Sequence, residues 1–335
     1  MKTIKERMPY IYTSDWHVTK ETVFPKAFSE TVDGIREMRI RGAGRIARSA
    51  SKALAALAES YGGSDFSEMA EFLHDGAKLL LSTRPTAVSL KNGILFTLAG
   101  AKEDGVKNVG DYRKSVVGAS EWFCEKSVSA IDAIAKHGSG LLCDGSTVLT
   151  HCNSSVAVST IARANEMYDG IRAFATETRP WNQGHITARE LASSGVDVNM
   201  IVDSAARHIM EREGVDAVFV GADTICMDGT VANKVGTSQI ALAAMDLGIP
   251  FYVCGEFYKF SPDIKSGSYV VVEERGASEI ADPFKFPGVK FKNPVFDLTP
   301  ARNITSIITE DGAIRAEKVA GFVKRKFSRV MGFEM

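Results

Sequence analysis

Through residues 31–137 the apolar positions recur three and four apart, the period of helices that bury one face. Ile46 to Tyr61 is the clearest case, rich in alanine with Ile46, Ala53, Leu54 and Leu57 on one stripe. A second helical pattern runs from about Phe66 to Ser82 and stops before Pro85, whose ring disfavours helical backbone in the preceding residue. A third covers roughly Thr86 to Ala101, and a long amphipathic one covers Asp111 to His137. No alternating strand pattern interrupts them, so this half reads as a helical bundle.

From Gly140 the period changes. Short apolar runs alternate with helical stretches: Thr147–Thr150 then Val156–Met167, and Arg172–Thr176 then Gln183–Ser194. Asn199–Val202 is followed by Ala205–Glu213, Ala217–Gly221 by a helix over Asn233–Leu247, and then comes Pro250–Cys254. Strands separated by helices of this length imply right-handed βαβ units and a parallel, doubly wound sheet. Beyond Phe257 the chain reads as irregular, with strands at Ser268–Glu273 and Thr305–Thr309 and a closing tail. Gly138, Gly140 and Gly145 mark a boundary between an N-terminal helical domain, 1–139, and a C-terminal Rossmann-like α/β domain, 140–335.

Such sheets bind ligands outside the carboxyl ends of their strands, where the strand order reverses. Cys152, Glu177, Asp203, Asp223 and Glu256 all fall at predicted strand ends. Asp223 follows the apolar run Ala217–Val220, and Asn233 and Lys234 open the next predicted helix. A carboxyl facing an amide and an ammonium can handle a phosphorylated polyol. An apolar strand end desolvates a carboxyl, raises its pKa and lets it hold a proton to donate.

Composition narrows the partners. With 335 residues, 45% hydrophobic and 24% charged, the chain is ordinary for a globular protein. A net charge of -1 offers no basic field to nucleic acid, so a phosphate ligand needs a local cationic site. The cysteines at 124, 143, 152, 226 and 254 have no zinc-like spacing and fit a reducing compartment. Residues 1–20 contain no apolar signal core, and no apolar run reaches membrane-spanning length. The expectation is a cytoplasmic protein that meets no membrane.

Cys152 lies between His151 and the capping cluster Asn153, Ser154 and Ser155. A helix N-terminus lowers a thiol's pKa from about 8.5, which suits a base or nucleophile. The other reading is a buried structural cysteine. His151 reads as a core histidine, and Cys226 and Cys254 as packing residues. Arg39 to Arg45 sets small residues between arginines just before a helix, either an anion site or a plain glycine turn. Lys234 and Lys259 suit phosphate as point charges, although single lysines are more often solvated. Arg179, beside Glu177, serves either to hold its loop or to contact a ligand, the structural role being favoured.

Taken together, the segments RGAG at 41–44, HCNSS at 151–155, ETRPWNQG at 177–184, GAD at 221–223 and ANKVGT at 232–237 resemble one superfamily. PFYVCGEFYKF at 250–260 and NPVFDLTP at 293–300 extend the match over about 31–325. The superfamily contains methylthioribose-1-phosphate isomerases, ribose-1,5-bisphosphate isomerases and the alpha, beta and delta subunits of translation initiation factor 2B. RGAGRIA and HCNSS resemble the archaeal ribose-1,5-bisphosphate isomerase branch. The translation-factor subunits generally lack both the cysteine and the aspartate. About twenty residues precede the start expected for this branch and carry no assigned role.

The resemblance implies an aldose–ketose isomerase that converts ribose 1,5-bisphosphate to ribulose 1,5-bisphosphate through a cis-phosphoenolate. It implies Cys152 as proton acceptor and Asp223 as proton donor. Arg41, Gly42, Ala43, Gly44 and Arg84 would bind phosphate or hydroxyl groups. Ser154, Ser155 and Val156 would lie beside the ligand, with Asn233, Lys234 and Lys259 completing the substrate site. No metal and no redox cofactor is implied. A homo-oligomer is expected, a dimer or trimer of dimers, with AMP as an activator.

Overall fold

A computed structural model of the chain describes residues 22–101 and 108–331. The N-terminal stretch without an assigned role lies outside them. The chain divides into two compact units, one holding the described residues up to Ser129 and those from Phe322 on, the other Ala130–Gly321. Among the described residues, no helix is long and apolar enough to cross a membrane.

The first unit is helical. It contains α1 (Lys26–Arg36), α2 (Ala43–Ser60), α3 (Phe66–Thr83), α4 (Val88–Gly100) and much of α5 (Val109–Ser139). Apolar residues surround α4 on every side, and nearly all of them are buried, as a helix at the centre of a bundle requires. Its Gly93 lies so near α2 that a Cβ there would sit 2.7 Å from the Ala47 carbonyl oxygen. Small residues on both helices permit that approach. The Asp65 side chain accepts the Glu68 N–H at 2.9 Å and caps α3, a contact of about 1 kcal/mol.

The second unit is built on a seven-stranded sheet in the order β10-β9-β7-β4-β1-β2-β3. Its strands are β1 (Thr147–His151), β2 (Arg172–Thr176), β3 (Asp197–Ile201), β4 (Ala217–Val220), β7 (Phe251–Cys254), β9 (Ser306–Thr309) and β10 (Gly312–Ile314). All neighbours are parallel except β9 and β10. Helices α6 (Ser155–Met167), α7 (Gly184–Ser193), α8 (Ala206–Arg212) and α9 (Thr237–Asp246) lie between strands in the chain. β1 and β4 are buried along their whole length, which explains why their sequences are continuous apolar runs. The chain lays β2 and β3 on one side of β1, then returns to place β4 on the other, so strand order reverses between β1 and β4.

Three expectations fail locally. Asn233 and Lys234 do not open a helix: they end strand β6 (Val231–Lys234), and α9 begins only at Thr237. β6 forms a small antiparallel sheet with β5 (Thr224–Ile225) and β8 (Phe296–Thr299). Its hairpin turns at Asp228 and Gly229, Gly229 having φ +82° and Asp228 accepting the Thr230 N–H at 2.9 Å. Asp-Gly between apolar runs is a strong hairpin signal, which the helical reading passed over. Ser268–Glu273 forms no strand; a short 3-10 turn occupies Gly267–Tyr269. The closing tail is a helix, α10 (Val319–Met331).

Cys226 and Cys254 are buried as expected, and burial pushes both thiols up to about 12 from 9.0. Between those values the unfolded chain loses protons that the folded one keeps, so their contribution to stability fades as pH rises. The melting temperature of a Cys254→Ala variant should fall less than the parent's as pH is raised from 9.0 toward 12, measured by circular dichroism. Parallel curves would contradict this.

Candidate active site

Cys152 and Asp223 leave the sheet from adjacent strands, β1 and β4, at the point where the order reverses. The two exit loops touch: a Cβ on Gly221 would lie 2.5 Å from the Ser154 Oγ and 2.6 Å from its Cβ. Only glycine allows β4 to leave so close to the start of α6. The Asp223 N–H is bonded to the Ala232 carbonyl of β6 at 3.0 Å, which ties the acid to the strand carrying Lys234.

Lys234 is buried, with its ammonium 5.3 Å from the centre of the Phe296 ring. Burial lowers its pKa, while the charges of Cys152 and Asp223 work in the opposite direction. Reciprocally, burial pushes the Cys152 thiol up to about 12, Lys234 pulls it down, and Asp223 and Asp203 raise it further. Cys152, Asp223 and Lys234 therefore form one electrostatic cluster. The lowered thiol pKa expected from the helix start does not hold. Desolvation outweighs it, and the first turn of α6 is already served by Ser154, whose Oγ accepts the Ala157 N–H at 3.4 Å.

The backbone at Cys152 has φ +67°, a conformation that costs a side-chain-bearing residue about 1–3 kcal/mol. Hydrogen bonds hold it on both sides. The Cys152 N–H donates to Thr178 Oγ1 at 2.9 Å, and its carbonyl accepts from Thr187 Oγ1 at 2.7 Å. Asn153 adds bonds to Thr187 at 3.1 Å and Glu190 at 3.0 Å.

His151 is a core histidine, as expected. Its Nε2 lies 2.9 Å from the Val235 carbonyl and its Nδ1 2.6 Å from Thr176 Oγ1. Burial lowers its pKa, so the ring is neutral. A carbonyl only accepts, so Nε2 carries the proton and Nδ1 accepts from Thr176. Gly236, at φ +106°, lies against this ring.

The other sequence-derived residues divide sharply. The Asn233 amide donates to Thr237 Oγ1 at 3.0 Å, and Asp297 takes the N–H groups of Gly236 and Ser238 at 2.7 and 3.0 Å. Burial raises the Asp297 pKa even so. The first turn of α9 is thus occupied by side chains of the protein itself. Lys259 is buried and paired with Glu256 at 2.6 Å, while Tyr258 donates to the same carboxylate at 2.7 Å. Ser155 is exposed, and the Val156 side chain is buried in the core, leaving its backbone as the part able to meet a ligand. Arg179 donates to the Ile280 carbonyl at 3.1 Å, a loop-holding contact.

Arg41, Gly42, Ala43, Gly44 and Arg84 belong to the helical unit. Gly42, at φ +86°, precedes α2 without a side-chain cap, and Arg84 follows α3. Among the described residues, no group of three or more His, Cys, Asp or Glu could hold a metal ion. Residue-by-residue reading missed Thr178, Thr187, Arg275 and the role of Asp203. Arg275 lies 4.8 Å from the Trp181 ring, and its charge acts on Lys234. The ETRPWNQG segment was the available signal, since it contains both Thr178 and Trp181.

A family model described as the initiation factor 2 subunit family matches residues 39–316. A ribose 1,5-bisphosphate isomerase of Archaeoglobus fulgidus is 45% identical over 86% of this chain and 90% of its own length. One of Methanocaldococcus jannaschii is 42% identical over 89% of this chain and 94% of its own. A structure of the translation initiation factor eIF-2B of Pyrococcus horikoshii superposes with a TM-score of 0.74 at 29% identity, covering 87% of this chain and 98% of that one. By the matched span and these identities, the chain belongs to the initiation factor 2 subunit family, alongside relatives that are ribose 1,5-bisphosphate isomerases.

Proposed function

We propose that the protein is an aldose–ketose isomerase acting on ribose 1,5-bisphosphate to give ribulose 1,5-bisphosphate. The observation that carries this reading is the cluster of Cys152, Asp223 and Lys234 at the β1–β4 reversal. Relatives of that name at 42% and 45% identity supply the substrate class.

A sugar phosphorylated at C1 has no free aldehyde, so its ring must be opened by acid. Asp223 donates a proton to the ring oxygen, and Cys152 removes the proton at C2. The resulting cis-phosphoenolate takes a proton at C1 from the Cys152 thiol, and its C2 hydroxyl returns one to Asp223. Both groups end as they began, and no electrons leave the sugar. Lys234 holds negative charge as it develops, in a buried position where charge interactions are strong. Arg41, Gly42, Ala43, Gly44 and Arg84 serve phosphate or hydroxyl groups, and Ser154, Ser155, Val156, Asn233 and Lys259 line the sugar. Lys259 contributes with its charge already balanced by Glu256. The same reading carries a cytoplasmic homo-oligomer, with AMP as an activator.

Purified protein mixed with ribose 1,5-bisphosphate should form ribulose 1,5-bisphosphate, followed by NMR. Cys152→Ser and Asp223→Asn should each lose roughly 10²–10⁴-fold in kcat. Retained turnover in either variant removes its assigned role. Turnover of methylthioribose 1-phosphate with ribose 1,5-bisphosphate inert would replace the substrate. No isomerisation, with co-purifying translation-factor subunits, would favour a regulatory subunit instead.

A thiol held at about 12 is scarcely ionised near neutrality and a strong base once it is. In Asp223→Asn, where residue 223 no longer titrates, the residual kcat should therefore climb close to tenfold per unit between about pH 7 and pH 10. A flat profile over that range would contradict a Cys152 thiolate as the base.

A further inference from the structure

Asp203 stands at the exit of β3 and opens the short turn that leads into α8. An aspartate there ordinarily caps its own helix. Neither that turn nor α8 has a side-chain cap. Both Asp203 oxygens reach across instead to the loop leaving β2. Oδ1 accepts the Thr178 N–H at 2.7 Å, and Oδ2 accepts the Arg179 N–H at 2.7 Å. Two short bonds from consecutive backbone donors to one carboxylate are charge-assisted and directional.

These bonds fix a residue that would otherwise relax. Thr178 is fully buried at φ +62°, a conformation unfavourable for a β-branched side chain. Held there, its Oγ1 receives the Cys152 N–H at 2.9 Å and lies 3.2 Å from Thr176 Oγ1. Thr176 in turn bonds the His151 ring beside Cys152. A single line of contacts thus runs from the β3 carboxylate, through the β2 loop, to the backbone that aims the β1 thiol.

We propose that Asp203 is the positioning residue for Cys152, acting through Thr178 to hold the thiol in the orientation from which it reaches C2 of the sugar. This rests on Cys152 being the base of the isomerase. Asp203 itself touches no reacting atom in this account, and its carboxylate is consumed by two backbone donors. Asparagine in its place accepts at only one oxygen and turns an N–H toward the other backbone donor, so one strut is lost without loss of volume.

The test compares Asp203→Asn, Thr178→Val and Thr178→Ser with the parent, each checked for folding by circular dichroism. With ribose 1,5-bisphosphate, Asp203→Asn and Thr178→Val should lower kcat by roughly 100-fold with KM little changed, as a misplaced catalytic group does. Thr178→Ser, which keeps the hydroxyl, should retain most of the parent's kcat. A second readout needs no turnover: the rate of iodoacetamide alkylation at Cys152, followed by peptide mass spectrometry with exposed Cys143 as internal reference. Release of the loop should accelerate alkylation at Cys152 in Thr178→Val, which keeps the Asp203 charge, as well as in Asp203→Asn, and leave Cys143 unchanged. Equal kcat and equal Cys152 alkylation in all variants would overturn the proposal. So would an equal loss in Thr178→Ser and Thr178→Val. If the parent does not isomerise ribose 1,5-bisphosphate, the isomerase reading fails on its own, and the alkylation arm alone decides whether Asp203 holds Cys152. Where Asp203→Asn fails to fold, the Thr178 pair decides it.

Discussion

The site depends on one constraint, the unfavourable backbone at Cys152. At φ +67° the residue turns the chain sharply between the end of β1 and the start of α6. Left alone, that geometry would relax at a gain of about 1–3 kcal/mol. Thr178 holds its N–H and Thr187 its carbonyl, from the loop and the helix that follow β2, and Asp203 at the exit of β3 holds Thr178. The thiol is therefore aimed by several elements of the parallel sheet at once, and its orientation is a property of the fold rather than of a flexible side chain.

Electrostatics follow from the same placement. Where β1 and β4 diverge, the sheet provides apolar walls, and burial there pushes thiol and amine toward their neutral forms. Cys152 and Lys234 each favour the other's charged form, but burial outweighs that attraction in both. A polyanionic sugar entering this cluster meets an ammonium beside a latent base, with Asp223 bonded through its backbone to the strand that carries the lysine. Charge is kept in balance locally elsewhere: Lys259 is matched by Glu256, and the α9 start by Asp297.

Much of this was legible in the sequence because buried parallel strands and one-sided helices write regular patterns. β2 coincides with its apolar run, and α6 and α7 differ from expectation only at their ends. The β5–β6 hairpin was misread because strands this short carry no period of their own, and Val231 to Lys234 runs directly into α9. Cys152 and Asp223 stood out as reactive groups at strand ends. Their supports did not, since Thr178 and Asp203 are 25 residues apart in sequence and meet only when β2 and β3 pair. The direction of the Cys152 pKa was likewise hidden, because desolvation depends on everything packed around the thiol. The charged partner of Lys259 lay only three residues away, but its burial made the pair consequential.

The central claim is that Cys152 and Asp223 act on one sugar from the two sides of the β1–β4 reversal. A crystal structure of the Asp223→Asn variant with ribose 1,5-bisphosphate tests it most directly. The account predicts the Cys152 sulfur about 3–3.5 Å from C2 and the residue 223 side chain within hydrogen-bond reach of the ring oxygen. A bound sugar whose C2 lies out of reach of the thiol, or whose ring oxygen faces away from residue 223, would contradict it.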